Sequence, residues 1–285
     1  MRTYEQNLHV SHADVDFLGE FKVSALLGFL EQAAVEASAD GGFDPARYTA
    51  DGRVWLVRRT RLERLRPVGG GDSLALSTHV SDFRRARSLR RYEVNRTGGH
   101  AGSDDAPVVR ASTDWVYCDV ASGRPVSVPD EMKIGLFGTT DAPSQDRAPR
   151  VNPPSEPPAG VFTITVRPSH LDHMRHVNNA VWADFLEDAA LALFAERGYG
   201  LGEMLEEGGA LRIRSLDIEY LGDARLGQAL EVQTWLPDDP GLPGKSPTVV
   251  QTIARSDGQR LLRARSAWSW RTRPHVLGGI PGASC

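Results

Sequence analysis

The chain has 285 residues, 40% apolar and 25% charged, with a net charge of −4. That is globular composition, long enough for one large or two medium domains, and it excludes a bulk electrostatic drive toward nucleic acid or an anionic membrane. Two cysteines, Cys118 and Cys285, exclude a disulfide scaffold and fit a reducing cytoplasm; MRTYEQNLHV carries no secretory pattern, and no apolar run approaches the ~18 residues of a membrane helix.

In chain order, the first element is a polar run entering an apolar helix, VSHADVDFLGEFKVSALLGFLEQAA (10–34). Alternating strands follow. GGGD at 69–72 reads as a hairpin turn, because a strand comes after it and a phosphate-binding loop would need a helix there. TTDAPSQDRAPRVNPPSEPPAG (139–160) holds six prolines and reads as an extended, solvated linker. The plan then restarts. FTITVR (162–167) is a strand, LDHMRHVNNAVWADFLEDAA (171–190) enters a second helix, and LRIRSLDIEY, ALEVQTW, TVVQTIA and LLRARSAWSW are strands.

The restart is a repeat. Residues 10–34 align without a gap on 166–190 at an offset of 156, placing Asp16 on Asp172 and Glu31 on Glu187. The same offset carries LERLRPVGGGDSLAL (62–76) onto IEYLGDARLGQALEV (218–232); RASTDW (110–115) matches RARSAW (263–268) at 153. A helix apolar nearly all round must be covered on several sides, and a curved antiparallel sheet wrapping it does that. The expected architecture is α+β: two tandem hotdog domains, at 1–138 and 161–275, a linker at 139–160 and a flexible tail at 276–285.

The second helix has a polar entrance. A helix start exposes unpaired N–H groups that can hold an oxyanion, and a carboxylate beside it can activate water. LDHMRHVNN supplies both within nine residues, with Asp172 as the carboxylate. His170, His173 and His176 do not have a metal-site pattern, so neither metal nor cofactor is expected. The first half keeps Asp16 but has Glu20, Lys22 and Val23 where the second has His176, Asn178 and Asn179. One active site is therefore expected, in the second half, with Asp16→Ala changing turnover little.

VWLVRRTRLERLRPV (54–68), RRYEV (90–94), DWVYCDVASGRPVSVPDEM (114–132) and above all LDHMRHVNNAVW resemble the acyl-acyl-carrier-protein (acyl-ACP) thioesterases of plants and bacteria, over residues 4 to 271. The resemblance implies hydrolysis of fatty acyl-ACP thioesters. Catalytic roles fall on Asp172, His176 and Asp223, the last in IEYLGDAR, where the family has Glu. Met174 occupies the slot of the family's Asn, and Asn178 or His173 is the candidate substitute. Met174, Trp55 and Arg59 are candidates for substrate contact, the last two as acyl-chain wall supplied by the first half. Arg84, Arg85 and Arg87, within FRRARSLRRYEV (83–94), are candidates for docking an acidic carrier protein. The expected partner is an acyl-phosphopantetheine carrier protein or acyl-CoA, with no nucleic acid and no membrane, and the protein is expected as a pseudo-dimeric monomer or a homodimer. An acyl-CoA or polyketide chain-release thioesterase, or a non-catalytic acyl-thioester binder, are the other readings.

Overall fold

The computed structural model describes residues 2–97, 106–140, 148–237 and 246–272. The first half lays down β1 (Thr3–His9), α1 (Val23–Asp40), α2 (Pro45–Ala50), β2 (Arg53–Arg64), β3 (Ser73–Arg84), β4 (Arg87–Thr97), β5 (Val109–Asp119) and α3 (Asp130–Phe137). The second lays down β6 (Gly160–Thr165), α4 (Val181–Glu196), α5 (Leu201–Glu206), β7 (Gly209–Tyr220), β8 (Ala229–Trp235), β9 (Thr248–Arg255) and β10 (Arg260–Thr272).

The ten strands form one antiparallel sheet in the order β1-β3-β4-β5-β2-β7-β10-β9-β8-β6. Each half contributes five strands, and the halves meet at β2–β7. There Arg61 lies opposite Asp217, positions that the repeat offset also equates, so a pseudo-twofold axis passes through that pair. β2 has a bulge between Val57 and Arg59, and β7 has one beside Ile213, which brackets Arg214 at the same offset.

The helices form because their apolar residues recur at three- and four-residue spacing. α1 buries Val23, Leu26, Leu27, Leu30, Ala33, Ala34 and Ala37; α4 buries Trp182, Phe185, Leu186, Ala189, Ala190 and Phe194. Both lie on the concave face of the sheet and contact each other. The strands answer with alternation: in β2, Thr60 and Leu62 are buried toward the helices, whereas Arg59 and Arg61 face away. This is the expected pair of hotdog units. The turn at Gly69–Asp72 joins β2 to β3, closed by Gly69 N–H donating to Asp72 Oδ2 at 2.9 Å.

The linker departs from expectation. Its described part is anchored: Val151 is buried with Trp235 and Val250, its N–H donates to Glu219 Oε1 at 2.9 Å, and Trp235 Nε1 donates to the Glu156 carbonyl at 2.7 Å. Prolines extend this segment, and the buried Val151 together with these two hydrogen bonds pins it to the sheet. Residues 141–147 and the expected tail at 276–285 lie outside the described residues.

Candidate active site

The motif LDHMRHVNN is a closed loop ahead of the helix. Leu171 and Val177 pair as a bridge. Asp172 N–H donates to the His176 carbonyl at 2.9 Å, and Asp172 Oδ1 accepts from the N–H groups of Met174 (2.9 Å) and His176 (3.2 Å). The first half builds the same loop. Val15 pairs with Phe21, Asp16 N–H donates to the Glu20 carbonyl at 2.8 Å, and Asp16 Oδ1 accepts from Leu18 (2.8 Å) and Glu20 (3.1 Å). A short carboxylate side chain suits this turn because it can reach backbone donors two and four residues on. Asp172 therefore does not cap the helix. α4 begins at Val181 with Ala180 as its N-cap, and Asn178 Oδ1 accepts the Ala180 N–H at 2.8 Å, steering the chain into the helix.

What surrounds the two loops differs. In the first half a buried ion network fills the space: Arg212 contacts Asp16 Oδ2 at 2.7 Å and Glu187 Oε1 on α4, while Arg64 pairs with Glu20. Burial pushes the Glu187 carboxyl up, and Arg212 pulls it back. In the second half, Tyr220 stands where the repeat has Arg64, and its hydroxyl donates to the Asn179 carbonyl at 3.2 Å. Beside it lies a cavity of about 10 Å³, walled by Leu27, Leu30, Val57 and Trp115 and by the polar groups of Glu31, Thr60, Thr113, Asn179 and Tyr220. That is room for about one water molecule. Glu31 comes from α1 of the other half. Burial raises its carboxyl above the ordinary range, Asn179 Nδ2 donating at 3.4 Å lowers it, and the neighbouring Asp172 raises it again.

The sequence-derived candidates separate into groups. His176 and Asp223 come together, with His176 Nε2 at 3.1 Å from Asp223 Oδ2. Arg225 Nη2 lies 3.2 Å from the same nitrogen, which can donate to Asp223 or accept from Arg225, not both. Asp223 sits in the loop after β7; Val177 N–H donating to the Ala224 carbonyl at 2.9 Å fastens that loop to the motif. Met174 is 43% exposed at the loop tip. Asn178 is engaged in the turn, so the neighbouring Asn179 is the amide that faces the cavity. Trp55 lies on the inner face of β2, its Nε1 donating to the Tyr48 hydroxyl at 3.1 Å and its ring 4.9 Å from Tyr117. Arg59 departs from the acyl-wall expectation. It lies on the outer face, binding both carboxylate oxygens of Asp217 (2.7 and 2.6 Å), because alternation along β2 turns it away from the helices. Arg84 and Arg87 pair with Asp82 (3.2 Å) and Asp114 (3.3 Å), and Arg85 is exposed at the β3–β4 turn.

Glu31 and Tyr220 were not among the sequence-derived candidates, and Asn179 stood out only as one of the polar positions that the first half lacks. The repeat that set Glu31 on Glu187 held the signal, but only the contact of α1 with α4 brings Glu31 to the other half's loop. His170 is structural: its Nδ1 accepts the Arg167 N–H at 3.1 Å and its ring packs 4.9 Å from Phe185. Among the described residues no cluster of three or more metal-ligating side chains occurs, and no helix is long and apolar enough to cross a membrane.

Residues 1–135 match the family model of the acyl-ACP thioesterase N-terminal domain, and residues 166–270 that of the thioesterase-like superfamily. Among solved structures the chain is similar to a putative oleoyl thioesterase from Lactobacillus plantarum, with a TM-score of 0.76, 17% identity and 96% of each chain covered. It is also similar to an acyl-ACP thioesterase from Bacteroides thetaiotaomicron VPI-5482 (TM-score 0.70, 18% identity, 94% of this chain and 98% of that one). A third is a 12:0-ACP thioesterase from Umbellularia californica (TM-score 0.70, 17% identity, 94% of each). At these identities the structures establish the tandem fold, and the family models carry the assignment. A search of curated proteins finds no match.

Proposed function

Because the chain belongs to the acyl-ACP thioesterase family and is a thioester hydrolase, we propose that it releases fatty acid from acyl carrier protein at the second-half loop. The observation that carries this placement is the asymmetry between two equivalent positions. The Asp16 loop is closed by Arg212, Arg64 and their carboxylate partners, while next to the Asp172 loop a cavity remains between Glu31, Asn179 and Tyr220, with Asp172 near enough to act on Glu31.

The proposed chemistry follows from that geometry. The turn's two N–H groups fix Asp172 through Oδ1 and leave Oδ2 outside those hydrogen bonds. Asp172 takes a proton from water as the water oxygen attacks the thioester carbon. The N-terminal end of α4 and its neighbouring N–H groups favour the oxyanion. The C–S bond breaks when the carbonyl re-forms, and the proton passes to the departing sulfur. A thiol has a pKa near ~8.5, so its thiolate leaves with little acid assistance. His176 and Asp223 flank the loop as the polar pair that orients it. Leu27, Leu30 and Val57 form the apolar wall of the site. Since β2–β7 already joins two hotdog units, one chain completes the pair without a second copy.

The test is hydrolysis of acyl-ACP and acyl-CoA thioesters across chain lengths, with Asp172→Ala as control. Acyl-ACP should be preferred, and Asp172→Ala should lower turnover at least about 10²-fold in a folded protein. Preference for CoA thioesters would replace the substrate assignment with the acyl-CoA reading; an unimpaired Asp172→Ala would remove the site.

A further inference from the structure

Glu187 and Glu31 are repeat equivalents with opposite surroundings. Glu187 is closed into an ion pair with Arg212, and its carboxylate completes the buried network of the first-half loop. Glu31 has an amide and an open space before it. Asn179 Nδ2 is 3.4 Å from Oε2, long for a hydrogen bond, and both residues line the cavity that has room for about one water. The charged groups acting on Glu31 are Asp172 and His173 of the loop, and the buried Tyr92 of β4 and Tyr220 of β7 also interact with it.

We infer that Glu31, supplied by the first half, is a positioning residue of the second-half site: its carboxyl orients the Asn179 amide and the water space that the two residues line. The inference rests on the thioester-hydrolase reading of that site. It also accounts for Met174. The loop's amide slot is filled by a thioether, and Asn179, held between Glu31 on one side and Tyr220 on the other, supplies an oriented amide from the next turn. The sign of the charge effect is fixed by the reaction. Negative charge develops on the thioester oxygen, so a second carboxylate in the same small space opposes it, and the protonated form of Glu31 is the productive one. Burial and Asp172 both favour that form by raising the carboxyl.

Glu31→Ala and Glu31→Gln separate this role from packing when assayed with an acyl-N-acetylcysteamine thioester. Glu31→Ala should lower kcat by about 10²-fold, the scale of a small misplacement of reacting groups, with KM changed less than about threefold. Glu31→Gln keeps both hydrogen-bonding atoms and stays neutral, and should recover at least about tenfold of that loss. Wild-type kcat should fall as pH rises through the raised carboxyl, and Glu31→Gln should lack that fall. Unchanged kcat in Glu31→Ala overturns the inference, as does a Gln variant as slow as Ala, or a fall with pH that persists in Gln. If Asp172→Ala is impaired while Glu31→Ala is not, only this inference fails; if neither is impaired, the site itself is misplaced.

Discussion

Arg175 is, among the described residues, the non-glycine residue with positive φ, at +65°, at the tip of the loop that holds Asp172. Its repeat partner is Gly19, at +79°. A residue with a Cβ in this region costs about 1–2 kcal/mol, while glycine adopts it freely but loses more backbone entropy on folding. Arg175→Gly should therefore stabilise the protein by up to about 1 kcal/mol, seen as a higher denaturation midpoint with an unchanged slope; a lower midpoint would show that the arginine side chain compensates the strain. This loop also shows what sequence could and could not tell about single residues. Asp172 stood out because a carboxylate among histidines and asparagines at a helix entrance is unusual. That it first builds a turn was legible only from Asp16, which builds the same turn with none of the other polar groups. His176 and Asp223 are far apart in sequence, and their contact follows from a backbone bond, Val177 to Ala224, that no side-chain pattern reports.

At the scale of elements, the two central helices do different work. α4 sends Glu187 into the network that closes the first-half loop, and α1 sends Glu31 into the open second-half site. Arg212 holds the first arrangement: it is buried, with Asp16 and Glu187 as its carboxylate partners. Asp16→Ala thus removes one partner of a buried pair, which costs about 3–5 kcal/mol. The sequence-based expectation that this variant barely changes turnover has to be measured where the protein is still folded. Arg212→Leu tests the network more directly. Glu187 is already raised by burial, so its ionised form weakens the fold: the stability contribution of its protonated form is present at low pH and lost as pH rises through the folded pKa. Without Arg212 to lower it, the defect of Arg212→Leu relative to wild type should grow as pH rises from the acid side. Denaturation curves at several pH values check this, and a defect of constant size would refute it. The strands and long helices were legible because alternation and three-to-four spacing repeat over many residues. α2 and α5, six residues each, and α3, eight, are too short to show a period. The β2–β7 seam was hidden because alternation says which face is buried, not which strand is the neighbour.

The whole molecule presents one continuous sheet, helices on its concave face and charge on the other. On that outer face, where the halves and the linker meet, is a cavity of about 150 Å³ lined by Arg58, Arg59, Arg61, Arg84, Arg87 and Arg150 against Asp82, Asp114 and Glu219. Even with Asp217 counted against Arg59, six guanidinium groups outnumber four carboxylates and leave the surface positive despite a chain charge of −4. Burial lowers Arg58, with Arg87 and Arg150 adding to the effect against Glu219 and Asp114. The β3–β4 turn that carries Arg84, Arg85 and Arg87 lies at one end of this surface. Arg87 and Leu56 are both paired with Val116, so the turn is level with the start of β2, whose inner face leads from Trp55 to Val57. We propose that an acidic carrier protein docks at this turn and passes its acyl arm around the strand ends to the inner face. Such a surface acts on encounter, and salt screens it. Reversing Arg84, Arg85 and Arg87 to Glu should lower kcat/KM for acyl-ACP at least about tenfold while sparing acyl-N-acetylcysteamine, and added salt should act on wild type in the same selective way. Because that variant replaces the arginines paired with Asp82 and Asp114 by like charges, thermal unfolding must accompany the kinetics, and the small thioester reports an intact site. A parallel fall for both substrates would locate the damage in the fold, and no fall for either would remove the docking surface.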